Sequence, residues 1–183
     1  QAEQTGEDSS SQVANNINVI GEVGEVNSNV DGINFTRLTV QRSPGSDDVD
    51  LSELSIQYVG DNGFANYIYA GADGNNVTNV DNPYFVEAIT AASETDAVMT
   101  DDADRYQILI PFGSAQYGSV DDVNGGNIDI QDGTQIDEEG AGQPISVADI
   151  DSDLSTGNEA EMEITTADRA TRNAFIQVPD TIE

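Results

Sequence analysis

EMEITTADRATRNAFIQVP, residues 161–179, is the stretch whose reading decides the fold class. In EMEITT (161–166), Met162 and Ile164 alternate with Glu161, Glu163 and Thr165. A period of two puts the apolar pair on one face of a strand and the polar residues on the other. NAFIQVP (173–179) repeats the pattern with Ala174, Ile176 and Val178. ADRAT lies between the two runs and has the length of a hairpin connection.

The same signal recurs upstream. RYQILIPF puts Tyr106, Ile108, Ile110 and Phe112 on one face, with Pro111 suited to an edge or a strand end. INVIGEV (17–23) and INFTRLTVQR (33–42) are rich in β-branched residues and bounded by Gly, Asn and Asp. In the second, Leu38 and Val40 share one face while Ile33 and Phe35 fall on the other. That pattern asks for a bulge near Arg37 or for cover on both sides. ELSIQYVG aligns Leu54, Ile56 and Tyr58, and FANYIYA (64–70) follows a hairpin signal, DNG at 61–63. VQRSPGSDDVDLSELSIQYVG (40–60) reads as a hairpin around an acidic turn, and YFVEAITA (84–91) as a further strand. Helical periodicity is nearly absent. Short strands with turn signals every 8 to 12 residues predict an all-β domain, a β-sandwich, over 17–183. Residues 113–160 are rich in Gly and Asp with few large apolar side chains, and read as an acidic surface excursion. Residues 1–16 are polar; Gln1 to Gln4 read as the last turn of a helix, with Gly6 as its cap, followed by a linker.

The chain of 183 residues carries 35 Asp and Glu against five Arg and no Lys, a net charge of -30. Such self-repulsion strains a compact fold in dilute solution. At 1 M salt the screening length is about 3 Å, and the same charge becomes tolerable. The composition therefore reads as adaptation to brine. With no basic patch, the chain is not expected to bind nucleic acid. It has no Cys and no His, which removes thiol chemistry, the usual general base and Ser-His-Asp catalysis. No glycine-rich phosphate loop is present, and no pair of acids stands out among 35. The chain is not expected to be an enzyme. No apolar run approaches the ~20 residues of a membrane span.

Two N-x-[ST] sequons mark Asn34 and Asn76 as N-glycan acceptors for a secreted chain. Asn76 falls in the loop GADGNNVTNVDN, Asn34 at a strand start. Loops around Asp73, Asp121, Asp122 and Asp129 carry the oxygen ligands a calcium ion uses, although none follows the EF-hand spacing. In so acidic a chain a solvated face is the plainer reading of each cluster. No other cofactor is expected.

Four collinear stretches resemble haloarchaeal archaellins, the subunits of the archaeal swimming filament. These are QAEQTGEDSSSQVANNINVI (1–20), LTVQRSPGSDDVDLSELSIQYVG (38–60), DRYQILIPF (104–112) and AFIQVPDTIE (174–183). Residues 113–160 carry little of the likeness. The resemblance implies an outward-facing sandwich of immunoglobulin-like type behind a long apolar N-terminal helix. That helix packs in the filament core and contacts the membrane only before assembly. It would end near Gln1, leaving a short helical remnant followed by a linker over 1–16. The resemblance further implies export behind a short leader, trimming by a prepilin-type peptidase and frequent N-glycosylation. The expected partners are copies of this chain or paralogous archaellins, in an extracellular filament turned by a rotary motor. The reading from another class is a secreted or surface-layer adhesin module with an Ig-like fold.

Overall fold

The computed structural model describes residues 17–27, 32–69, 81–91, 97–113, 116–120, 128–131, 143–144, 149–150 and 152–180. The expected helical remnant at 1–16 lies outside them. In chain order the strands are β1 (Ile17–Asn27), β2 (Gly32–Arg42), β3 (Val49–Asp50), β4 (Ser55–Gly60), β5 (Gly63–Tyr69), β6 (Pro83–Thr90) and β7 (Val98–Met99). They continue with β8 (Arg105–Pro111), β9 (Gln116–Val120), β10 (Ile128–Gln131), β11 (Gln143–Pro144), β12 (Leu154–Ser155), β13 (Glu159–Thr165) and β14 (Thr171–Gln177).

Two antiparallel sheets make the sandwich. One runs β1-β2-β8-β6, with β12 added against β2; the other runs β5-β4-β13-β14. They meet at one margin through a short parallel pairing of β5 with β6, Ile68 opposite Pro83 and Tyr69 opposite Tyr84. At the other margin β14 approaches β1, and Arg172 Nε donates to the Ile17 carbonyl at 3.2 Å. The inner faces touch directly: Thr36 Oγ1 donates to Met162 Sδ at 3.6 Å, and the rings of Tyr58 and Phe112 are 5.4 Å apart. Ile56, Tyr58, Ala160, Met162, Ile164 and Ala174 all turn into this core while their neighbours in sequence face out.

The first sheet is buried on both faces. Thr36, Leu38 and Val40 point inward, yet Ile33 and Phe35 on the opposite face are also buried. The pairing of β2 with β8 runs without a bulge from Phe35–Pro111 to Gln41–Arg105, and the register shift of β2 lies instead on its β1 side at Asn34, between Ile33 and Phe35; there is thus no bulge at Arg37, and β2 is covered on both faces. Phe85 and Leu109 sit opposite one another on that second face, and β10 of a small sheet, β10-β9-β11, lies against β6. The acidic excursion thus comes within reach of the first sheet at β6. It is also shorter than its composition suggested, since 113–160 contains all of β12 and the start of β13.

The segment 40–60 is not a hairpin. β2 pairs with β1, β8 and β12, whereas β4 pairs with β5 and β13, so the acidic turn carries the chain from one sheet to the other. Burial drives the crossing: Leu51 and Leu54 are both in the core. Tyr84 Oη accepts from Leu54 N at 3.1 Å and donates to the Leu51 carbonyl at 2.8 Å, which satisfies backbone that a sheet would otherwise pair. The DNG hairpin does form, with Gly60 paired to Gly63 around Asp61 and Asn62.

Candidate functional site

The neck of the excursion is where the fold spends its buried polar chemistry. Tyr58 Oη donates to Asn62 Oδ1 at 2.7 Å, and Asn62 Nδ2 donates to the Ser152 carbonyl at 2.8 Å. Tyr67 Oη donates to the Pro111 carbonyl at 2.6 Å. Asn82, held at a positive φ of 53°, donates through Nδ2 to Asp149 Oδ2 at 2.7 Å and accepts from Asp149 N at 3.2 Å. Gly113 N donates to the Ile150 carbonyl at 3.0 Å, which ties the outgoing and returning strands together. Burial pushes the hydroxyls of Tyr58, Tyr67 and Tyr84 well above the usual tyrosine range. They stay protonated at any physiological pH and serve as structural donors, the opposite of what a nucleophile or general base needs.

Asn34 is fully buried on β2, and neither its Nδ2 nor its Oδ1 has a hydrogen-bond partner among the described residues. A glycan on Nδ2 needs that atom in solvent, and the fold buries it. Asn76, Asp73, Asp121 and Asp122 lie outside the described residues. Asp129 is on β10 opposite Ser119, just before a register shift. Among the described residues no three acidic side chains converge as a metal-binding group.

The sequence reading passed over the outer face of the β5-β4-β13-β14 sheet. Phe64, Val59, Glu161 and Phe175 are cross-strand neighbours in one row over its four strands. Phe64 is 49% exposed, Val59 51%, Phe175 62% and Ile68, further along β5, 59%. The signal that could have found them was present: in NAFIQVP the largest side chain, Phe175, falls on the wrong face for a core residue. Around this row opens a groove of about 440 Å³, bordered by Asp61, Glu159 and Glu161.

Comparison with known proteins gives a consistent answer. The family described as archaeal-type flagellin matches residues 1–178. Flagellin B1 of Halobacterium salinarum is 28% identical over 121 residues, 65% of this chain and 59% of that protein. Flagellin A2 of Haloferax volcanii is 27% identical over 179 residues, 97% of this chain and 73% of that protein. The chain thus spans 59% of the length of the Halobacterium salinarum relative. Among solved structures, the archaeal flagellin FlaB1 from Methanocaldococcus jannaschii superposes with a TM-score of 0.61 at 13% identity, covering 91% of each chain. The archaeal flagellum of Methanospirillum hungatei gives 0.53 at 10% identity, covering 99% of this chain and 76% of the other. At these identities the structures speak for the fold alone.

Proposed function

Because this chain belongs to the archaeal-type flagellin family, we propose that it is the outward-facing β-domain of a structural subunit of the archaeal swimming filament. In this reading its partners are copies of itself or paralogous archaellins, in a helical array on the cell surface. Assembly runs through the apolar N-terminal helix that the family resemblance implies, and the acidic sandwich stands in brine. The role is mechanical and needs no catalysis. The match running to residue 178 carries the reading, because it includes both the polar 1–16 segment and the last strand of the sandwich. The high acidity supports it as well, since a surface filament of a halophile is bathed in salt. Asn76, not the buried Asn34, bears the N-glycan in this proposal.

Purified filaments test the reading. Filaments sheared from salt-grown cells and digested should yield peptides of this chain as a stoichiometric component. A chain expressed in the same cells but confined to the envelope fraction would overturn the filament role and favour the adhesin reading.

A further inference from the structure

The hairpin between β13 and β14 places one of only five arginines at a position that suits glycine. Thr166 N donates to the Ala170 carbonyl and Arg169 N to the Thr166 carbonyl, both at 2.9 Å. This closes a tight loop in which Arg169 takes a φ of 67°. Left-handed backbone strains any residue with a Cβ, and glycine is the usual occupant of this turn position. The other arginines are engaged inside the fold. Arg37 pairs with Glu87, and Arg42 with Asp48 and Asp102. Arg105 donates to the Asp102 and Asp104 carbonyls, and Arg172 to the Ile17 carbonyl. Arg169 is exposed, and no side-chain hydrogen bond or ion pair joins it to the described residues. In a chain of net charge -30, an exposed, strained cation without a partner among the described residues is open to a contact with another molecule.

Its complement lies at the far end of the same two strands. There Glu161 sits between Val59 and Phe175 as their cross-strand neighbour, on the border of the outer-face groove. Asn173 Nδ2 donates to Glu161 Oε1 at 2.6 Å and fixes the carboxylate between the two apolar side chains, while Oε2 has no partner among the described residues. An apolar wall with an acid beside an exposed ring is the environment a guanidinium fits: its plane stacks on the aromatic face and its N–H groups reach the carboxylate.

We propose that Arg169 of one copy docks in the Val59–Glu161–Phe175 groove of the next. The proposal rests on the filament reading and names a lateral contact within it. Knob and groove are separated along the strands by roughly 20 Å at about 3.3 Å per residue. Such a separation also permits a two-fold pair, but neighbours in a helical filament are related by a screw operation, so within the filament reading the contact is heterologous and builds open chains instead of dimers. It also suits brine. With screening at about 3 Å in 1 M salt, long-range attraction is lost, and only a close pair backed by stacking retains its strength.

The chain has no cysteine, so introduced thiols report cleanly. Asp168→Cys and Gln177→Cys, placed together in the full-length subunit and oxidised in assembled filaments, should give a ladder of covalent multimers. Arg169→Gly relieves the turn, so the fold should survive by circular dichroism while ladder yield falls at least tenfold. Intact filaments without a ladder would overturn the contact and leave the filament role standing. A ladder unchanged by Arg169→Gly, or disulfide dimers from Asp168→Cys alone, would also overturn it. A subunit absent from filaments would remove the filament reading and this contact together.

Discussion

Asn34→Leu should stabilise this protein, and the size of the gain follows from the packing around β2. Asn34 is fully buried, and both polar atoms of its amide lack partners among the described residues. A buried polar group left unsatisfied costs about 1–3 kcal/mol. Leucine shares the branched outline of asparagine and carries no polar atoms, so the change removes two such penalties, but it is the bulkier side chain and overpacking a core costs about 1–3 kcal/mol. Taking the lower figure for each unsatisfied atom and for the overpacking leaves a net gain of about 1 kcal/mol. A domain of this size moves its Tm by about 2–4 °C per kcal/mol, so melting should rise by about 2–4 °C. The assay is thermal unfolding followed by circular dichroism in molar salt, on unglycosylated chain. A lower Tm in the variant would refute the reasoning, since it would mean that a buried water already satisfies the amide or that the core has no room for the larger side chain. Asn34→Leu also deletes a sequon, and Thr36→Val deletes the same sequon while keeping Asn34, at the loss of the weak bond from Thr36 Oγ1 to Met162 Sδ. Chain purified from a glycosylating host should show the same glycan mass with Thr36→Val as without it.

Four further outcomes follow from the same structure. Gly113→Ala should cost about 2 kcal/mol or more by denaturant titration, because Gly113 sits at a φ of 59° and an added Cβ would lie 2.5 Å from Asp153 N and 2.6 Å from the Ser152 carbonyl carbon. Ile164→Ala should cost about 2–5 kcal/mol and Glu163→Ala under about 0.5 kcal/mol, since these neighbours on β13 face the core and solvent respectively. Stability should fall steeply above pH ~10: the unfolded tyrosines ionise near there, while Tyr58, Tyr67 and Tyr84 keep their protons in the fold. The unfolded state then binds fewer protons, so stability is full below pH ~10 and lost as pH rises, with phenolate absorbance appearing together with loss of the β-sheet signal. Dialysis from molar salt to about 10 mM, where the screening length is about 30 Å, should lower the Tm by tens of degrees or unfold the chain outright, given its net charge of -30; an unchanged Tm would count against the halophilic reading.

Much of the second sheet was legible in the sequence. Met162 and Ile164 turn inward and the glutamates outward, as the alternation of EMEITT requires, and ADRAT closes the hairpin. A sheet with one wet face writes itself into a period of two. The first sheet was harder to read. Phe112 and Tyr106 are buried as expected, but so are Leu109 and Pro111 on the other face. Two-sided cover erases the alternation, and β10, which approaches β6, lies in a stretch where only short, weak strand pieces such as NIDIQD could be read. The reading of 40–60 as a hairpin failed for a related reason. Two strands joined by an acidic turn look alike whether they pair with each other or pass to opposite sheets. The candidate sites were least legible. A sequon states which residues an enzyme would recognise but not whether the strand bearing them faces the core.

Composition and alternation alone determined that this is an acidic, salt-adapted, all-β chain without the side chains for thiol or histidine chemistry, and its motifs pointed to the archaellin family. These properties are local or additive, so each residue carries its share of them in the sequence. Which strands pair, that Asn34 is interior, that the excursion approaches β6, and that Arg169 and the Phe175 groove stand at opposite ends of one hairpin were decided by tertiary structure. Each depends on which residues distant in the chain come to lie side by side, a relation that no local pattern encodes.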